Sequence, residues 1–135
     1  MRVTVLSAVV LACGAVPASA SASPAGRVTI DLVAGAGNHR NTASVTYKQV
    51  DGTANAFRIL TVLANSSEPD CVGVEWNDPR SDDGWKSLIS EMPCHGNTLL
   101  ENPGTLIKAP EGHPIKVRLA GYHTPGLAHK DIARL

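Results

Sequence analysis

The sequence predicts a mainly β protein: a small β-sandwich of about six or seven strands, with one short helix at about 82–92 and one disulfide. Three observations point there. Apolar and polar residues alternate over short runs, as half-buried strands require. Twelve glycines and nine prolines, spread along 135 residues, interrupt those runs at short intervals. Only one stretch has a clear helical period.

Residues 1–20 read as a signal peptide rather than a structural element. Arg2 precedes an apolar run from Val3 to Val16, Pro17 breaks it, and Ala18-Ser19-Ala20 supplies small residues for cleavage. The run is shorter than the roughly 20 residues needed to span a bilayer. The expectation is therefore an exported chain, secreted or extracellular, with no transmembrane segment. The Ala/Ser-rich style of the leader suggests a GC-rich bacterium. Cys13, in "VVLACGA", resembles a lipoprotein cleavage signal, so a cell-surface lipoprotein anchored at Cys13 is an alternative.

Residues 21–26, "SASPAG", are expected to be a flexible Ser/Ala/Pro segment leading into one domain over 27–123. "RVTIDLVA" sets Val28, Ile30 and Leu32 on one face and Thr29 and Asp31 on the other, and Gly35 and Gly37 end it. "SVTYKQV" alternates in the same way and runs into Asp51-Gly52, a hairpin turn pair. "AFRILTVLA" is apolar on both faces apart from Arg58, and its β-branched Ile59, Thr61 and Val62 favour a central strand, though Ala56, Ile59, Leu60 and Leu63 fit helical spacing too. "CVGVEW" is a further short strand. "TLIKA" and "PIKVRLAGY" are expected to pair through the turn "PEGH", with Ile115, Val117 and Leu119 inward. Residues 124–135 carry weak periodicity and read as a loosely held tail.

The helix rests on "SDDGWKSLISEMP". Trp85, Leu88, Ile89 and Met92 recur at i, i+3, i+4 and i+7, Asp82 and Asp83 suit an N-terminus, and Pro93 suits an end. In that reading Trp85 belongs to the core.

Without Cys13 the domain keeps two cysteines, Cys71 and Cys94, which permit a single intramolecular pairing in an oxidising compartment. Closing a loop of that size is worth about 3 kcal/mol by chain entropy. Neither a C-x-x-C redox motif nor a four-ligand zinc pattern is present.

Beyond the leader, eleven basic residues face twelve acidic ones, a balance that excludes generic nucleic-acid binding. The charges segregate. Glu68 to Glu101 holds eight acidic residues against Arg80 and Lys86, whereas Lys108 to Leu135 holds five basic residues against Glu111 and Asp131.

No cofactor or metal ion is expected. An extended stretch from His113 to His123 separates those rings by about 33 Å. His123 and His129 flank "TPGLA" and can converge, but two ligands make a weak site. The acidic run "NDPRSDDG" fails the EF-hand pattern, because its third position from Asp78 is Arg80 and its sixth is Asp83. No hydrolase or nucleotide-binding fingerprint occurs.

The expected function is that of a secreted non-enzymatic binding or interaction protein, with an unknown protein or peptide as partner. Trp76, Asp78 and Arg80 are the expected binding residues, on a disulfide-braced loop with Trp76 half exposed and Arg80 at the crest. Inhibition of an extracellular protein is one concrete version. The alternative is a small secreted hydrolase or ribonuclease using Glu75, Arg80 and His95 in general acid–base roles.

Overall fold

The computed structural model describes residues 19–22, 26–123 and 127–135. Cys13 and most of the expected leader lie outside that set. The described residues form ten strands: β1 (Ser19–Ala22), β2 (Arg27–Ala34), β3 (Asn41–Gln49), β4 (Ala56–Asn65), β5 (Cys71–Trp76), β6 (Lys86–Ser87), β7 (Thr98–Glu101), β8 (Leu106–Lys108), β9 (Lys116–Tyr122) and β10 (Leu127–Arg134). The count exceeds six or seven because several strands are only two to four residues long.

Two antiparallel sheets result. One runs β1-β2-β3-β4-β7, with β8 also paired to β4, and the other runs β10-β9-β5-β6. Alternation decides which side chains meet between them. Ile30, Leu32, Val45, Ile59 and Val62 from the first sheet join Val72, Val74, Trp76, Val117 and Leu119 from the second in one buried cluster. This is a β-sandwich with a single apolar core, as the pattern predicts. The Asp51-Gly52 turn joins β3 to β4, with Gly52 at φ 71° and the Thr53 amide donating to the Val50 carbonyl.

Four expectations are corrected. No helix forms at 82–92. β6 pairs with the Trp76 end of β5, and Cys94 lies opposite Cys71 at its other end. The chain between them must therefore travel the length of β5, about 17 Å at strand rise. Eight residues at helical rise cover only about 12 Å. Local side chains also supply bonds that a helix would make itself: the Ser81 hydroxyl donates to the Trp85 carbonyl, and the Ser87 hydroxyl accepts from the Ile89 amide. The stripe divides accordingly, with Leu88 and Ile89 buried and Met92 exposed.

The second correction concerns β8 and β9, which do not form a hairpin. β8 pairs with β4, while β9 has both neighbours, β5 and β10, in the other sheet. The turn at 110–113 exists, closed by the His113 amide on the Pro110 carbonyl, but it carries the chain between sheets. Asn55 holds that crossing by donating its side-chain amide to the Pro110 and His113 carbonyls.

Third, the C-terminal segment is no loose tail, since β10 pairs with β9 from Leu127 to Arg134. Its Asp131 carboxylate accepts the Val33 amide on the β2 edge at 3.1 Å. Fourth, Ser21 and Ala22 of the segment expected to be flexible belong to β1, together with Ser19 and Ala20.

The disulfide joins Cys71 to Cys94. Beside it, the Val72 amide donates to the Pro93 carbonyl and the His95 amide to the Asp70 carbonyl.

Candidate functional site

Leaving the sandwich after Trp76, the chain makes two consecutive turns. Asp78-Pro79-Arg80-Ser81 is closed by the Ser81 amide on the Asp78 carbonyl, and Ser81 to Gly84 by the Gly84 amide on the Ser81 carbonyl. Asp at the first position and Pro at the second suit the first turn, and Gly84 at φ 79° suits the end of the second. Asp78 is buried, and one of its oxygens accepts both the Arg80 amide (3.0 Å) and Arg80 Nε (3.1 Å). The Arg80 hydrogen bond is the main reason the Asp78 carboxyl sits below the ordinary carboxylate range, against the opposing effect of burial. Arg80 itself projects, its side chain 72% exposed.

Two shallow clefts flank Arg80. One, of about 500 Å³, is lined by Pro79, Arg80, Lys108, Ala109 and Pro110. The other, of about 470 Å³, is lined by Asp78, Arg80, Ser81, Asp82 and Lys86. The first pairs two cations with an apolar floor, and the second is lined by polar and charged residues.

Of the three expected binding residues, only Arg80 is presented to solvent. Trp76 is 3% exposed and belongs to the core, because strand alternation puts it on the inner face with Val72 and Val74. Trp85 exchanges roles with it. It is half-buried outside the sheet, with the Arg118 guanidinium 4.0 Å from its ring centroid. Arg118 also pairs with Glu75 at 2.6 Å, joining the acidic and basic stretches of the sequence. The disulfide does not brace the crest, since it lies at the far end of β5.

Glu75, Arg80 and His95 are not brought together. Glu75 is held by Arg118 and Arg80 by Asp78, while His95 sits beyond the Cys71 end with its Nδ1 against the Glu68 carbonyl. A six-residue strand, about 17 Å from end to end, separates His95 from Arg80.

A second cluster, at the Cys71 end, escaped sequence reading. Asp70 is fully buried and accepts from Asn41 Nδ2 (2.9 Å) and Ser67 Oγ (2.8 Å), while His39 Nδ1 lies 3.0 Å from its other oxygen. Burial alone pushes the Asp70 carboxyl up, but the hydrogen bonds from Asn41, Ser67 and His39 outweigh it and hold the group below its usual range. The rings of His123 and His129 stand 5.6 and 5.8 Å from that of His39. The signal in the sequence was the pair His123 and His129 flanking "TPGLA". His39 comes from a single 3-10 turn, Gly37–His39, whose placement no local pattern reveals. Among the described residues, no three His, Cys, Asp or Glu side chains already stand as a metal-ligand set.

Comparison with known proteins finds no matching family model, no similar curated protein and no similar solved structure.

Proposed function

We propose that this chain is a secreted, non-enzymatic binding protein that docks an extracellular protein or peptide through the clefts on either side of Arg80. The observation that carries the reading is the construction of the Arg80 turn. A buried carboxylate two residues away fixes both the backbone and the guanidinium, so the side chain is positioned before any partner arrives. Arginine beside apolar surface is the composition of interface hot spots, and Lys108 in the same cleft favours a partner segment carrying carboxylates. The reading of residues 1–20 as a leader supports export, and the Cys71–Cys94 bond suits an oxidising compartment.

Among forms of inhibition, the geometry favours covering a partner's surface over mimicking a protease substrate. A substrate mimic offers its arginine from an extended segment with the guanidinium free. Arg80 instead sits within a β-turn, with its guanidinium on Asp78.

The test places a photo-crosslinking residue at Ser81, and separately at Asp51 in the distant β3–β4 turn. Each form is then exposed to the producing cells and their medium. A discrete adduct from position 81 alone, reduced at least tenfold by Arg80→Glu, is expected. Equal adducts from both positions, or indifference to Arg80→Glu, would overturn the assignment.

A further inference from the structure

We infer that His39, His123 and His129 form a binding site for a divalent transition-metal ion of the imidazole-preferring kind, such as Zn²⁺ or Cu²⁺, backed by the buried carboxylate of Asp70. The three rings come from different places: the 3-10 turn after β2, the residue just past β9 and the body of β10. Imidazole nitrogens are the ligands that such ions favour.

Ring spacing is the first argument. An ion bound at 2.0–2.1 Å by three tetrahedrally disposed imidazole nitrogens holds the ring centroids about 5 Å apart. The observed separations from His39 exceed that by less than 1 Å. The His123 and His129 rings are inclined at 62° and 56° to that of His39, so the donors do not yet share one point. Both side chains are only half-buried and reach the ion by rotating about their own bonds.

Orientation of His39 is the second. Asp70 is ionised and acceptor-only, so Nδ1 of His39 donates to it and Nε2 keeps the lone pair. A ligating histidine typically carries such a carboxylate partner, which fixes its tautomer and raises its basicity. With Nδ1 so occupied, His39 remains about one-third exposed, which gives an ion access.

The backbone makes room for this arrangement at two glycines. A Cβ on Gly35 would meet the His39 carbonyl at 2.0 Å and the His129 ring at 2.7 Å. A Cβ on Gly121 would meet Nδ2 of Asn41 at 2.4 Å. Asn41 is the residue that donates both to Asp70 and to the His39 carbonyl. The bare glycines therefore admit His129 and the support behind His39 at once.

Three ligands leave a fourth position for water or an exogenous group, the arrangement of an open site. The exported form, stripped with chelator, would be titrated with Zn²⁺ and Cu²⁺ by calorimetry, with imidazole resonances followed by NMR. One ion per chain is expected, perturbing the His39, His123 and His129 signals. His39→Gln and His129→Gln should each weaken binding at least tenfold, and Asp70→Asn about 10- to 100-fold. His95→Gln and His113→Gln should change nothing. Should Asp70→Asn fail to fold, the partly exposed His39→Gln still decides. Binding no tighter in the native chain than in the His39/His123/His129 triple Gln variant would overturn the site, as would an ion that perturbs His95 or His113 instead.

Discussion

Two buried aspartates bracket strand β5, and their environments differ in a way that separates scaffold from surface. Asp70, just before the strand, gathers Asn41 from 29 residues away and His39 from 31. Asp78, just after it, is satisfied almost entirely by Arg80, two residues on. Both carboxylates are buried and both stay ionised, yet Asp70 ties the β2–β3 connection to β5, while Asp78 merely shapes its own turn. The depth of a charge says little about its role. The distance along the chain to its partners says more.

The largest expected effect follows from that contrast. Asp70→Ala leaves Asn41 and Ser67 donors unmatched in a buried site, at about 1–3 kcal/mol for each unsatisfied group. A loss of about 3 kcal/mol, read as a fall of about 12 °C in Tm, is expected. A fall no greater than that of Asp78→Ala would erase the distinction between the two sites. Next comes the staple beside Asp70. Replacing Cys71 and Cys94 by Ser should cost about 3 kcal/mol in chemical denaturation. A combined effect with Asp70→Ala well below the sum would show that the two act as one unit.

Asp78→Ala should cost about 1 kcal/mol, because Arg80 then simply turns to water. The same change should loosen the Arg80 turn, visible as faster amide exchange at Arg80 and Ser81 while β5 itself stays protected. The smallest effect at neutral pH emerges in acid. Both carboxyls lie below their ordinary values when folded. Each therefore stabilises the fold above the unfolded value of about 3.9, and that contribution is lost as the pH falls through the folded one. Stability should decline below about pH 4, and Asp70→Asn and Asp78→Asn should each flatten that decline; a decline unchanged in both variants would remove this role from the two carboxylates.

The sheet-rich fold was legible because alternation is a local signal. Val72, Val74 and Trp76 share a face with period two, and that pattern alone puts Trp76 inside. The expectation of a half-exposed Trp76 gave weight to its polar neighbours over its own register. The stripe through Trp85, Leu88, Ile89 and Met92 misled for a different reason: the span imposed by the pairings at Lys86 and Cys94 demanded extension, and spacing cannot express a distance set by another strand. Pairing of β8 with β4 across fifty residues was invisible for the same cause. At the Arg80 turn, Asp-Pro-Arg-Ser announces itself in four letters. The histidine cluster needed the three-dimensional meeting of residues 39, 70, 123 and 129, which no window of sequence contains.

One contact between the sheets has a consequence for how molecules of this protein meet. Unpaired backbone donors along the rim of a sheet invite one chain to zip onto another. Asp131 closes the Val33 donor with its own carboxylate. An intruding strand would have to evict that anion and then lie against it. Removing the final strand would take that guard away from the Val33 amide.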